Sequence, residues 1–246
     1  MKKVLLTFVI WICLSSTAFA NVPVDKINDV YENHLSEIKF SSTDVYSTKK
    51  DIRSMIDNNY EITYLRWYHK GSNWKVNVNW RQSTRLLNDD KMECSTKDYE
   101  VKQKAQEVLD EIITKDMCEY QKVYEIYNWI QNRTEYDYES AKQKRYRSEA
   151  RYCDNMTGVL YNGKAVCTGY ADAFYYMVNC SGVECRLVTN ETHCWNMVKL
   201  RDKWYYIDVT DESGRCFLRG MDWAIKNDYV ATSYLPAEIE KLDYDF

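Results

Sequence analysis

Gly163-Lys164-Ala165-Val166-Cys167-Thr168-Gly169-Tyr170-Ala171-Asp172-Ala173-Phe174 is a loop running into a helix, with a cysteine at the junction. A thiol at a helix start lies beside unpaired N–H groups and the positive end of the helix dipole. Both favour the thiolate, the form that attacks carbonyls. Downstream stand His193, in Thr192-His193-Cys194-Trp195-Asn196, and Asp208, in Trp204-Tyr205-Tyr206-Ile207-Asp208-Val209-Thr210. Nucleophile, base and orienting carboxylate thus fall within 42 residues of one another.

Each residue alone is weak: buried thiols are common, and a histidine in a strand is usually structural. Their arrangement is more specific. Apolar alternation predicts strands over 183–189, 193–200 and 203–210, the last two forming a hairpin around Leu200-Arg201-Asp202. An even-length loop makes cross-strand partners sum to an odd number. His193 and Asp208 sum to an odd number, so they would share a face within hydrogen-bond reach. An odd loop without a bulge would separate them. Trp195 shares the parity of His193 and is a candidate wall shielding the base from water, or a plain core aromatic. Cys194 faces away.

Composition sets the class. Of 246 residues, 45% are hydrophobic and 15% aromatic, and two prolines leave little room for a disordered linker. Lys2 and Lys3, the apolar run 4–13 and Ala18-Phe19-Ala20 form a secretory signal over residues 1–20. That run is too short for a membrane span, and no second one follows. Without residues 1–20, 31 basic face 37 acidic side chains, a net charge of −6 that disfavours nucleic acid. The local basic group Lys142, Lys144, Arg145, Arg147 and Arg151 reads as a solvated face. Of nine cysteines, Cys13 leaves with the signal, and a free Cys167 leaves seven, so at least one more is unpaired. Cys180 and Cys185 read as packed thiols or a local pair, and Cys167 as the accessible reduced one. No C-x-x-C occurs, so no metal or cofactor is expected.

Residues 21–92 read as a small α+β segment, and 93–246 as the catalytic domain. One helix is expected through Ile27, Val30, Tyr31, His34, Leu35 and Ile38, with His34 packed on its stripe. A second is capped by Ser47 or Thr48, and a hairpin turns at Gly71-Ser72-Asn73 with His69 exposed beside it. The polar stretch 88–91 marks the boundary. Ser95 or Thr96 caps a helix through Ile113, and another ends near Asn132. The Cys167 helix runs to about Asn179 and stops at Ser181-Gly182. Tyr136 and Tyr170 are candidates to line a cleft.

The three motifs quoted above, in that order, resemble the transglutaminase-like superfamily, whose fold is papain-like. The likeness covers roughly 100–220, reaching back to the helix Tyr124 to Asn132 with Tyr136-Asp137. It extends forward to Cys216-Phe217-Leu218 as a closing strand. It does not reach 21–92. The resemblance implies an α+β core in which a buried helix carries Cys167 on an antiparallel sheet. It also implies acyl transfer or amide hydrolysis on protein or peptide substrates, through a thioester and a Cys167–His193–Asp208 triad. No acidic loop resembles the calcium sites of animal transglutaminases, so it implies no metal. A protease of the same fold and a non-catalytic envelope binding module are the alternatives. Secretion or a cell-envelope location is expected, and the oligomeric state is not legible.

Overall fold

The computed structural model describes residues 21–143, 151–231 and 235–245. Residues 1–20, the expected signal segment, and three of the clustered basic residues, Lys144, Arg145 and Arg147, lie outside them. Contacts divide the chain into two compact units, up to Trp80 and from Arg81.

The first unit runs α1 (Val24–Asn33), β1 (Glu37–Ser41), α2 (Val45–Asn58), β2 (Ile62–Lys70) and β3 (Asn73–Trp80). The strands form an antiparallel sheet in the order β1-β3-β2. Ile27, Val30, Ile52, Met55, Ile62 and Val76 are wholly buried, each worth about 1.5–3 kcal/mol against exposure. The single helix expected through Ile38 is two elements. His34 takes a left-handed backbone (φ 50°) and ends α1, so Ile38 reaches the core from β1 instead. His34 packs its ring 5.1 Å from Trp80. The cap of α2 is Asp44, not Ser47 or Thr48, because its carboxylate accepts the Ser47 N–H at 3.0 Å.

The second unit opens with α3 (Gln82–Leu87), α4 (Thr96–Ile112) and α5 (Glu119–Arg133). Ser95 caps α4 in a reciprocal box with Asp98. A short parallel pair, β4 (Glu135–Tyr136) with β5 (Lys164–Ala165), brings the end of α5 beside the loop ahead of Cys167. Between them lies α6 (Tyr138–Lys142). The central helix α7 (Cys167–Cys180) lies on one face of an antiparallel sheet of β6 (Cys185–Thr189), β7 (Cys194–Leu200) and β8 (Lys203–Ile207). Asn196 fastens the sheet to α7, its amide donating to the Ala171 carbonyl at 3.1 Å. Trp195, Met197, Trp204 and Tyr206 project from the other face into a second core. Residues from α8 (Met221–Lys226) onward cover that core.

The division falls at Trp80/Arg81 rather than at 92/93. The physical reason is Asp172, a fully buried carboxylate on α7. It accepts hydrogen bonds from the Ser83 hydroxyl and the Met156 N–H, with the Arg81 charge nearby. Gln82 donates to Asp98 at 3.0 Å and accepts from Thr157 at 3.1 Å. Residues 81–87 are therefore stitched into the second unit. The closing strand expected at 216–218 is also absent. In that stretch the Cys216 carbonyl accepts the Asp208 N–H and the Leu218 carbonyl accepts the Tyr244 N–H, and the next residue, Arg219, forms an isolated bridge with Tyr206. Among the described residues, no helix is long and apolar enough to cross a membrane.

Candidate active site

The site assembles where α7 starts and the β7–β8 hairpin ends. Gly163 (φ 60°) turns the chain into β5, and Cys167 is the first residue of α7. Gly169 is required by close packing, because a Cβ there would run into the Cys153 carbonyl oxygen. The Cys167 sulfur thus sits at the positive end of a 14-residue helix.

The hairpin loop is Arg201-Asp202, both left-handed, and the register pairs Leu200 with Lys203 and Asn196 with Ile207. The loop length is even, so His193 and Asp208 fall on one face at the open end of the hairpin. His193 Nε2 lies 2.7 Å from Asp208 Oδ2. With Nε2 so engaged, Nδ1 is the nitrogen left for Cys167, with which the ring also hydrogen-bonds. Asp208 is ringed by donors. Its Oδ1 accepts the Thr210 N–H (2.9 Å) and hydroxyl (2.6 Å), and its Oδ2 also accepts the Tyr229 hydroxyl (2.8 Å).

Electrostatics follow the geometry. Burial works against a charge on each member, and the partners outweigh it. Cys167 is lowered by its bond to His193, by the charge of that ring, by the Cys194 N–H and by the Tyr136 hydroxyl. His193 is raised to about 10 by Asp208 and Cys167. Asp208 is lowered by His193 and Thr210. The favoured state is thiolate, imidazolium and carboxylate in a row.

Tyr136, set beside β5 by the parallel pair, donates its hydroxyl to the Cys167 sulfur and accepts the Cys167 backbone N–H. Burial and the adjacent sulfur push its own ionisation up. The other two aromatic candidates lie behind the site. Tyr170 is 4% exposed and donates to the Thr134 carbonyl at 2.5 Å, with its ring 6.2 Å from that of Tyr136. Trp195 is 1% exposed and stacks at 5.8 Å on His193, covering that ring from the second core. Neither presents a surface to a ligand.

Three partners are missing from the sequence reading, and one of them had a signal that could have found it. The Cys194 N–H is a backbone group, and Tyr229 is remote and has no motif. Thr210 was legible, since Asp-x-Thr forms a local turn in which the carboxylate caps the backbone two residues on. None of the eight described cysteines is in a disulfide, Cys180 and Cys185 included. Cys118 and Cys180 are the exposed ones, whereas Cys167 is partly covered. Cys167 is therefore distinguished by its partners rather than by access. Among the described residues, no group of three or more His, Cys, Asp or Glu is placed to hold a metal ion.

Comparison with known proteins finds similarity over the part of the chain that carries Cys167, His193 and Asp208. Residues 106–209 match the family model described as the transglutaminase-like superfamily. The kyphoscoliosis peptidase of Mus musculus is 28% identical over 141 residues, covering 51% of this chain and 21% of the relative. Its Homo sapiens counterpart is 27% identical over 124 residues, covering 44% and 18%. The chain therefore spans about a fifth of the length of these relatives. A crystal structure of a TGase aligns with a TM-score of 0.44 and 15% identity, over 78% of this chain and 55% of that one. Over residues 106–209, this chain is similar to the transglutaminase-like superfamily.

Proposed function

We propose that the chain is an exported thiol enzyme that cleaves or transfers the acyl group of amides in protein or peptide substrates, using Cys167, His193 and Asp208. The observation that carries this reading is that His193 bonds both Asp208 and Cys167, in a setting that lowers the thiol and raises the imidazole.

The steps follow from the partners. The Cys167 thiolate adds to the amide carbonyl, and the carbon–oxygen electron pair moves onto the oxygen. The Cys167 N–H and the Tyr136 hydroxyl, now bonded to each other, flank the place where that oxyanion forms. The oxyanion then collapses to a thioester. His193 gives its proton to the departing amine or ammonia, and Asp208 holds the ring in the required orientation. Water or a second amine, deprotonated by His193, attacks the thioester and releases Cys167. Hydrolysis is the second reading within this scheme, favoured by the name peptidase carried by both relatives.

Two experiments test this. Iodoacetamide at mildly acidic pH should label Cys167 ahead of the exposed Cys118 and Cys180, and Cys167→Ser should abolish the fast phase. Labelling without preference for Cys167 would remove the functional thiolate. A screen comparing amine incorporation with peptide cleavage then separates transfer from hydrolysis.

A further inference from the structure

The sheet of the first unit has two unlike faces. Side chains alternate along each strand, so Ile38, Val76 and Leu65 turn inward, all buried. Their strand neighbours turn to solvent. In two adjacent cross-strand rows these are Lys39, Lys75 and Tyr68, then Ser41, Asn73 and Lys70. Together with Phe40, His69 and Trp74 they line a shallow cleft of about 570 Å³, a size usual for ligand sites. The next row adds Arg66, whose guanidinium lies 5.3 Å from the Tyr64 ring centre.

Charge is segregated onto this face. Residues 21–80 hold eight basic and eight acidic side chains and are neutral as a whole. Four of the basic ones, Lys39, Arg66, Lys70 and Lys75, project here, against one acid, Glu37. Glu37 bridges Lys39 (2.9 Å) and Lys75 (2.5 Å), holding both ammonium groups at the rim while leaving the face three charges positive. The remainder of the unit is three charges negative. Amphipathic alternation requires only a polar outer face. It does not require the charges to be sorted by sign.

We propose that this face binds a polysaccharide chain bearing carboxylates. An open, shallow cleft suits a polymer laid across the strands. The ammonium groups meet carboxylates, Asn73 and Ser41 offer donors and acceptors to hydroxyls, and Tyr68, 59% exposed, offers a ring for a sugar to lie on. Single-stranded nucleic acid is the poorer match. It is held by successive open aromatic platforms, whereas Phe40 and His69 at the cleft already stack on the buried Trp74 and Tyr64 is engaged by Arg66.

The test uses the full chain in affinity electrophoresis through polygalacturonate, with dextran, poly-L-glutamate and oligo-dT as separate arms. Retardation by polygalacturonate and not by dextran is expected, weakening as salt screens the charges. The variant K39Q/K70Q/K75Q should bind about tenfold more weakly, as three exposed ion pairs are lost. Tyr68→Ala should weaken binding to polygalacturonate but leave any retardation by poly-L-glutamate unchanged. Retardation by poly-L-glutamate or oligo-dT equal to that by polygalacturonate would overturn the proposal. Binding that persists unchanged in the triple variant would do the same.

Discussion

Replacing Asp208 by Asn keeps the shape of the side chain and removes its charge. The structure sets the size of the effect. His193 is held at about 10 against an ordinary 6.5, a net preference for the charged ring of about 5 kcal/mol. Burial of the ring opposes that preference. Asp208 is the stronger of the two partners that supply it, and together they also offset burial, so Asp208 accounts for at least half of the net, about 2–3 kcal/mol, or roughly 30- to 150-fold in the imidazolium–thiolate population. The ring is 29% exposed, so solvent screens part of this and the lower end, about 30-fold, is expected. The assay is the second-order rate of iodoacetamide alkylation at pH 6, read on the Cys167 peptide by mass spectrometry. Cys118 and Cys180 serve as internal references. The deficit should shrink toward pH 9, where an ordinary thiol ionises without help. A variant that keeps its melting temperature and alkylates within twofold of the wild-type rate at pH 6 would refute the argument that Asp208 holds the charged ring.

Tyr136→Phe removes a donor to the thiolate, so alkylation at pH 6 should slow by about tenfold, since a hydrogen bond to a charged group is worth about 1.5–3 kcal/mol; an unchanged rate would show that the phenol does not act on the sulfur. Gly169→Ala drives a methyl group into the Cys153 carbonyl and to 3.0 Å from the Ala165 Cβ, at a cost of about 1–3 kcal/mol, measurable as a lowered urea midpoint. Asp98 is held below the ordinary carboxylate value of 3.8: burial opposes this, but the Ser95 N–H, Gln82 and Arg85 outweigh it. Its folded value lies below its unfolded one, so its stabilisation is present above pH 3.8 and lost as pH falls through the folded value. Asp98→Asn should therefore lower stability at pH 7 and leave it little changed near pH 2, as read from urea unfolding at the two pH values.

The division between what could be read along the chain and what needed the fold has a physical basis. Periodicity and parity are local rules, because a strand alternates faces whatever surrounds it. An even two-residue turn at Arg201-Asp202 was enough to put His193 and Asp208 on one face. A helix start at Cys167 is likewise a local event, marked by its loop and by the apolar run behind it. Where local rules competed, the sequence was ambiguous. Ile27 to Ile38 keeps a helical spacing, yet the left-handed turn at His34 divides it into a helix and a strand. The polar stretch 88–91 reads as the boundary, which leaves segment 81–92 with the first unit. Only the burial of Asp172 against Ser83 and Arg81 shows that it belongs to the second unit. The environment of the thiol is the clearest case. Tyr136 reaches Cys167 through a parallel two-strand pairing, and Tyr229 reaches Asp208 from 21 residues further on. By itself the sequence determined which residues could form the proposed triad and which face two of them would share. Tertiary structure alone decided which donors surround them, and so how strongly the charges are held, because contacts between distant segments leave no period in the chain.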